Sequence, residues 1–378
     1  EIKKKRMHGI QLKRKYIMTK EELAEKITGE NLDSIMNIDP RGYGVSRILY
    51  KASRKYADNK STSMTFAKKI CSIFSNAEFE KLSSEKKKSN TVLIMTGFVL
   101  RPHLMPETDG IVGALLFARS LIYAFGITPV LSVNEKNIPA ILSTAALMGL
   151  HVYDNIETAK KMPLSFSFIT IPVEKEKAAE KIKEFTSREN PLFVFSTECA
   201  GANSSGEYHN ATGINMTELE SKQDLLFEFY KKKKVPAFAV GDLGNEIGMG
   251  KLSSHIKKFI PYADGTKNGI TAFTSADFVL TATVSDWGVY AVIAAIAFLK
   301  KDISIMHDEK MEEAVLRQCC LSGMVDMTGS LLPAIDGFDV VFQKQIVALM
   351  RSTVSFAINY DNNTWFEKVL EKKFYDTQ

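Results

Sequence analysis

From residue 91 onward, short runs of β-branched and aromatic residues alternate with stretches of helical spacing, and this alternation limits the fold more than any other feature of the 378-residue chain. "TVLIM" opens the series at Thr91, and "IVGALLFARSLIYAFG" follows it with apolar residues at helical intervals. "TPVLSV", "SFSFITI", "LFVFS", "PAFAV" and "DFVLTATV" continue it, each with a helical stretch behind, so the pattern predicts six strands. Strands this uniformly apolar must be covered on both faces, and a helix between consecutive strands is what a parallel connection requires. The fold class expected is therefore α/β: a mostly parallel sheet covered by helices on both faces, preceded by a helical N-terminal region. That region spans residues 20–76. "TKEELAEKI" begins with Thr19 as N-cap and Glu22 three residues on, the spacing of a capping box. "DPRGYG" interrupts the helical pattern before "VSRILYKASRKY" and "TSMTFAKKICSIF" resume it, and "EKLSSEKKKSN" reads as a polar surface connection. The domain organisation expected is a basic segment over 1–19, one α/β domain over 20–355 with its helical lead-in, and a tail or helix over 356–378. No internal repeat is present.

A chain that is 45% hydrophobic and 25% charged can bury a sizeable core. The net charge of +5 is mild and concentrated in "EIKKKR", "LKRK", "SEKKKS" and "YKKKKV". These runs lack the interleaved aromatics that stack bases, so they read as solvated lysine faces, and neither nucleic acid nor membrane is expected as a partner. The longest apolar run, "WGVYAVIAAIAFL" from Trp287, is too short to span a bilayer and reads as a buried helix. Cys71, Cys199, Cys319 and Cys320 form no CxxC, which points to a reducing, intracellular compartment. The basic first residues read as a solvated tail or a targeting remnant, leaving the mitochondrial matrix open beside the cytoplasm, and an opening at Glu1 rather than Met leaves the natural start open too.

Four of the loops that follow strands are unusual. They are "TGFVLRPHLMPETDG", "TECAGANSSGEYHNATG", "GDLGNEIGMG" and "SDWG". Taken singly, each is ordinary turn chemistry, with glycine at positive φ and Asp or Asn capping the next helix. In a parallel sheet, however, all four leave the carboxyl ends of strands, where open α/β sheets bind ligands. Glu107, Asp109, Glu198, Asp242, Glu246 and Asp286 would then crowd together. Like charges at close range raise one another's pKa unless a cation or proton intervenes. The cluster therefore implies a divalent metal, a cationic substrate group, or carboxyls kept protonated for acid catalysis. "GDLGNEIGMG" is neither GxGxxG nor a Walker A loop, since its glycines fall at 241, 244, 248 and 250 and no GK[ST] closes it. Its acids would repel phosphate unless a metal lay between. His103 and His209 lie in these loops as candidate ligands or acid–base groups, but no HxH or HExxH pattern is present.

Together these loops resemble, in order, the D-glutamate cyclase-like family. "SGMVDMTGSLLPAIDGFDVVFQKQIVALM" is similar to that family's closing region, and "IDPRGYGVSRIL" to its "DPGGRG" segment, so the resemblance covers about residues 20–352. It implies a carbon–oxygen lyase that condenses D-glutamate to 5-oxo-D-proline with loss of water. Matching positions imply Glu107, Asp109, Glu198, Asp242 and Glu246 as catalytic residues. Asp242 and Glu246 would be metal ligands or receivers of the substrate ammonium, and Glu107 with Asp109 the acid–base pair. Thr96, Gly97, Gly110, Asn203, Asn210, Gly244, Asn245, Ser285 and Trp287 would bind substrate, with Arg101, His103 and Lys251 as nearby cations for a carboxylate. A divalent cation, manganese or magnesium, is compatible with this acid set; no nicotinamide or flavin is expected. The partner implied is a small molecule, D-glutamate or a related amino acid, and a homo-oligomer is left open. Two positions depart from the family pattern: Leu243 replaces the second glycine of GDGG, and Asp286 the asparagine of SNWG. They leave the substrate open, and beside the lyase stand a metal-dependent phosphate-handling enzyme and a non-catalytic binder of an amino acid or nucleotide.

Overall fold

The alternating apolar runs form one seven-stranded parallel sheet in a computed structural model of the chain, which describes residues 18–264, 269–359 and positions 368, 371 and 372. The strands are β1 (Thr91–Gly97), β2 (Thr128–Val133), β3 (His151–Tyr153), β4 (Ser165–Thr170), β5 (Val194–Cys199), β6 (Ala237–Gly241) and β7 (Phe278–Thr281). All six strands expected from the sequence form. β3 is additional: an edge strand of three residues, none fully buried, so it carries no apolar run to announce it. Across the sheet the order is β3-β4-β2-β1-β5-β6-β7. Because successive side chains point to opposite faces, Val92 and Ile94 enter one core layer while Leu93 and Met95 enter the other.

The longer helices are α1 (Lys20–Met36), α2 (Val45–Lys55), α3 (Thr62–Phe74), α4 (Ile111–Phe125), α5 (Lys175–Arg188), α6 (Gln223–Lys232), α7 (Ser285–Lys300), α8 (Glu309–Leu321) and α9 (Val340–Asn359). α1, α3, α4, α7, α8 and α9 cover the Val92 face; α2, α5 and α6 cover the Leu93 face. α7 is buried on every side from Ser285 to Ala297, as an all-apolar helix must be. No helix among the described residues is long and apolar enough to cross a membrane. The capping box at α1 is formed: Glu22 N donates to Thr19 Oγ1 at 3.2 Å, and Thr19 N donates to Glu22 Oε2 at 2.8 Å. The helical lead-in packs against the body, α1 and α3 against α7 and α2 beside β7. The connection read as a polar surface loop contains one short helix, Ser84–Lys88, and follows another, Ala77–Glu80. Residues 1–17 of the basic segment, and most of the chain beyond Asn359, lie outside the described residues.

The topology places the site. After β1 the chain runs outward to β2 and then β4; after β4 it crosses back to lay β5 on the other side of β1. Loops leaving the carboxyl ends of β1 and β5 therefore diverge and open a crevice, the switch point at which doubly wound sheets bind ligands.

Candidate active site

The loop after β1 first makes a small hairpin, Val99–Leu100 against Met105–Pro106, and then returns to the crevice with Glu107 N donating to Phe98 O at 3.0 Å. Asp109 is held between two helix starts. Its Oδ1 accepts from Gly110 N at 2.9 Å and Asp286 N at 3.0 Å, and its Oδ2 accepts from Ser285 N at 3.2 Å. The Ser285 and Asp286 N–H groups belong to the first turn of α7 and that of Gly110 to the cap of α4, free donors that an anion satisfies. Gly110 is required by space and by its φ of 83°: a Cβ there would lie 2.5 Å from Glu198 Cβ and 2.7 Å from Thr96 Oγ1. Glu198 itself, at the end of β5, holds a φ of 39°, the kind of backbone strain that accumulates at functional sites. Its Oε2 accepts from Ser285 Oγ at 2.6 Å.

The Gly-rich loop after β6 is organised by its own acid. Glu246 Oε1 accepts from Asp242 N at 2.6 Å and Leu243 N at 3.0 Å, and Oε2 accepts from Gly244 N at 2.7 Å. Glu246 is thereby the anchor of the loop, and Asp242 is the residue the loop presents. Gly241 makes room for this inward-turned side chain, since a Cβ there would lie 2.7 Å from Glu246 Cδ, and backbone N–H groups meet its oxygens.

Two residues that the sequence reading did not assign complete the site. Asp336 occupies a two-residue Asp-Gly turn between Ala334–Ile335 and Phe338–Asp339, with φ values of 56° and 80° at Asp336 and Gly337. This primed turn is the one that Asp-Gly favours, and "IDGF" is its sequence signal. Arg41, from the "DPRGYG" segment, donates from Nη1 to Asp336 Oδ2 at 3.2 Å and from Nη2 to Thr283 O at 2.7 Å. Asp39 fixes that segment by accepting from Gly42 N at 3.1 Å and Gly44 N at 2.7 Å.

These elements surround a cavity of about 360 Å³ lined by Arg41, Glu107, Glu198, Asn210, Asp242, Asn245, Thr283 and Asp336, with Tyr43, Val45, Phe98, Leu100, Leu243 and Met327 forming an apolar wall. Arg41 is the positive side chain among the described lining residues. Burial drives the carboxyls up, and their mutual repulsion adds to it. Glu107, Glu198 and Asp242 are held well above the ordinary carboxylate range, desolvation being the first cause, followed by Asp336 for Glu107, Glu246 for Glu198 and Glu198 for Asp242. Asp109 is raised to about 8 by burial and then by Asp336, against the pull of its backbone donors. Asp336 is raised by burial but held back by Arg41 and by a hydrogen bond with the Asp242 carboxyl. Two carboxyls in that arrangement share a proton.

Of the residues expected from the sequence, Glu107, Glu198, Asn210, Asp242 and Asn245 line the cavity. Asp109, Glu246, Ser285, Thr96, Gly97, Gly110 and Gly244 lie behind this lining in the loops that shape it, with the Thr96 hydroxyl buried and unpartnered among the described residues. Asp286 is fully buried beneath, with Oδ1 accepting from Gly110 N at 2.9 Å. Two fall elsewhere. Trp287 points into the core, donating from Nε1 to Gln343 Oε1 at 2.6 Å and stacking on Phe342. Asn203 donates to Gly269 O at 2.7 Å and accepts from Ser205 N at 2.9 Å, folding its own loop. A position three residues into a strand-end motif can face either way, and only the turn of the first helical residues decides it. The expected cations also fall outside the cavity: Arg101 and His103 are exposed, and Lys251 Nζ sits 5.0 Å over the Tyr56 ring.

The acid set fits a divalent cation. Asp109, Asp242 and Asp336 each offer an oxygen within 4.8 Å of the others, as do Glu198, Asp242 and Glu246, and all are buried. All-oxygen donors that repel one another in low dielectric suit a hard cation.

The sequence of "D-glutamate cyclase, mitochondrial" from Homo sapiens is 28% identical to this chain over 295 residues, covering 75% of the chain and 41% of that protein, so the chain spans about two fifths of the relative's length. The family described as "D-glutamate cyclase-like, C-terminal" matches residues 32–351. That match includes Arg41, all four acid-bearing loops and Asp336, and the chain belongs to the D-glutamate cyclase-like, C-terminal family.

Proposed function

We propose that the chain closes D-glutamate, or a closely related amino acid, to its five-membered lactam with loss of water. The observation that carries this reading is the meeting of Glu107, Glu198, Asp242 and Asp336 with one cation, Arg41, at a single cavity in a chain of this family. Cyclisation makes three demands. The α-ammonium must lose a proton before its nitrogen can attack; the side-chain carboxyl must be made electrophilic; and the departing oxygen must be protonated.

Glu198 and Asp242 receive the ammonium, and the Asp242–Asp336 pair takes its proton. Glu107, kept protonated by burial, gives a proton to the departing oxygen. Arg41 and the Asn245 amide face the carboxylate that does not react. Enclosure bends the substrate toward a ring-like conformer, removing rotational freedom before reaction. Asp109 and Glu246, first read as catalytic, act in this scheme by holding the α7 start and the Asp242 loop in place. With a divalent cation held by Asp109, Asp242 and Asp336, which would supply positive charge to the reacting carboxyl group, Glu198 is the acid left to take the ammonium proton. The excess of acids over cations disfavours a phosphate ligand.

Incubation with D- and L-glutamate, with manganese or magnesium, followed by chirally resolved chromatography of 5-oxoproline, tests the proposal. The D-product is expected, and Asp242→Asn, folded by circular dichroism, should lose at least about a hundredfold in rate, the scale of a lost acid–base group. Absence of product with either metal would sink it.

A further inference from the structure

The proposed reaction leaves the apolar wall of the cavity unexplained. At about 360 Å³ the cavity falls within the range that encloses drug-sized ligands, roughly 300–1,000 Å³. Free glutamate is far smaller, and it carries charge at both ends. The cavity is not charged throughout. Its acids are almost fully buried, while Tyr43 is 70% and Met327 48% exposed, which places the acids on the floor and the apolar residues toward the mouth. Phe98, buried, and Leu100 and Leu243, half-buried, line the same cavity. An apolar wall beside a charged substrate would stay in contact with water and contribute nothing to binding it.

Leu243 is the informative residue. It directly follows Asp242, and its N–H is fixed by Glu246 Oε1 at 3.0 Å, so the loop that presents the carboxylate also holds an isobutyl group beside it. An apolar substituent that touches Leu243 must therefore be attached close to the reacting carbon.

Resting on the cyclase reading, we infer that the preferred substrate is a γ-amide of glutamate whose amine portion is apolar and lies along Phe98, Leu100 and Leu243. In this reaction the α-amine nitrogen attacks the γ-carbonyl carbon and forms the lactam C–N bond. The amide C–N bond breaks, Glu107 delivers a proton to the leaving nitrogen, and the Asp242–Asp336 pair takes one from the attacking nitrogen. The products are 5-oxoproline and a free amine, with atoms balanced and no water or further reactant consumed. Once protonated, an amine departs more readily than hydroxide does from a carboxylate, which is the difficulty that free glutamate presents.

The test compares D-glutamate, its γ-butylamide and its α-butylamide by kcat/KM, reading the lactam by chirally resolved chromatography and butylamine by derivatisation, against enzyme-free blanks. The γ-butylamide is expected to exceed D-glutamate by about tenfold or more, the scale on which an apolar pocket discriminates a few methylenes. In Leu243→Gly this ratio is expected to fall toward one; being a ratio within one preparation, it is insensitive to the folded fraction. A preference for free D-glutamate or for the α-butylamide overturns the inference, as does an unchanged ratio in Leu243→Gly. Turnover of D-glutamate alone sinks this inference and leaves the cyclase reading standing; turnover of none of the three removes both.

Discussion

Arg41 Nη1 lies 3.2 Å from Asp336 Oδ2, although 295 positions separate the two residues in the chain. The contact joins the helical lead-in to the closing hairpin at the lining of the cavity. Its charge restrains the protonation of Asp336, which burial would otherwise drive further up. Arg41→Met keeps much of the side chain's bulk and removes the cation. A loss of about 1.5–3 kcal/mol, as for hydrogen bonds to charged groups, corresponds to a roughly ten- to 150-fold fall in kcat/KM. Arg41→Lys, which keeps charge but not the two-point donation, should fall between. Steady-state kinetics of both variants checks this, and wild-type values for Arg41→Met would refute it.

Stability should decline as pH rises from about 4 to about 8. Asp109 is raised from 3.8 to about 8 and Glu220 from 4.5 to about 8, both chiefly by burial. Across this window the unfolded chain ionises these groups while the folded chain keeps them protonated, so the folded state binds more protons and loses stability as pH climbs. Glu220 does not line the cavity and accepts from Val99 N through Oε1 at 3.0 Å, a bond a glutamine can retain. Glu220→Gln should therefore flatten part of the slope and melt no lower than wild type at pH 8. Thermal denaturation at several pH values, without metal, measures it.

Manganese should raise the melting temperature, and by more at pH 8 than at pH 6. Asp109, Asp242 and Asp336 must shed their shared protons to ligate, so cation and protons compete. At a hundred times the dissociation constant the gain is about 2.7 kcal/mol. Asp336→Asn removes one donor and should lose most of the shift. Isothermal titration with manganese and magnesium gives the affinity directly; an unaltered affinity in Asp336→Asn would exclude the site as drawn.

Glu246 and Trp287 should separate loop-holding from packing. Glu246→Gln turns an amide N–H toward backbone donors that now point at a carboxylate. It should cost about 1–3 kcal/mol in stability and also lower kcat, because Asp242 rides on that loop. Trp287→Phe leaves Gln343 Oε1 buried without its donor, a similar penalty, yet kcat/KM of the folded protein should stay near wild type. Denaturant melts paired with kinetics distinguish the two patterns.

Much of the architecture was written in local pattern. Apolar runs at Thr91, Thr128, Ser165, Val194, Ala237 and Phe278 became strands because nearly every residue there is buried by one helical layer or the other, and period-two sorting between layers needs only the order of side chains. The gathering of Glu107, Glu198 and Asp242 at one cavity also followed from pattern, since parallel strands point their carboxyl ends the same way. Other features were decided only by packing. β3 is too short and too exposed to leave a periodic trace. Glu246 and Asp242 are near neighbours of one loop, and only the inward turn onto three N–H groups makes one the anchor and the other the presented acid. Trp287 adjoins the motif yet faces Gln343, because the first turn of α7 rotates it into the core. Arg41 and Asp336 carry no mark of each other in the sequence. Their meeting depends on how the lead-in and the closing hairpin dock on the same sheet edge, and distance along a chain carries no information about such docking.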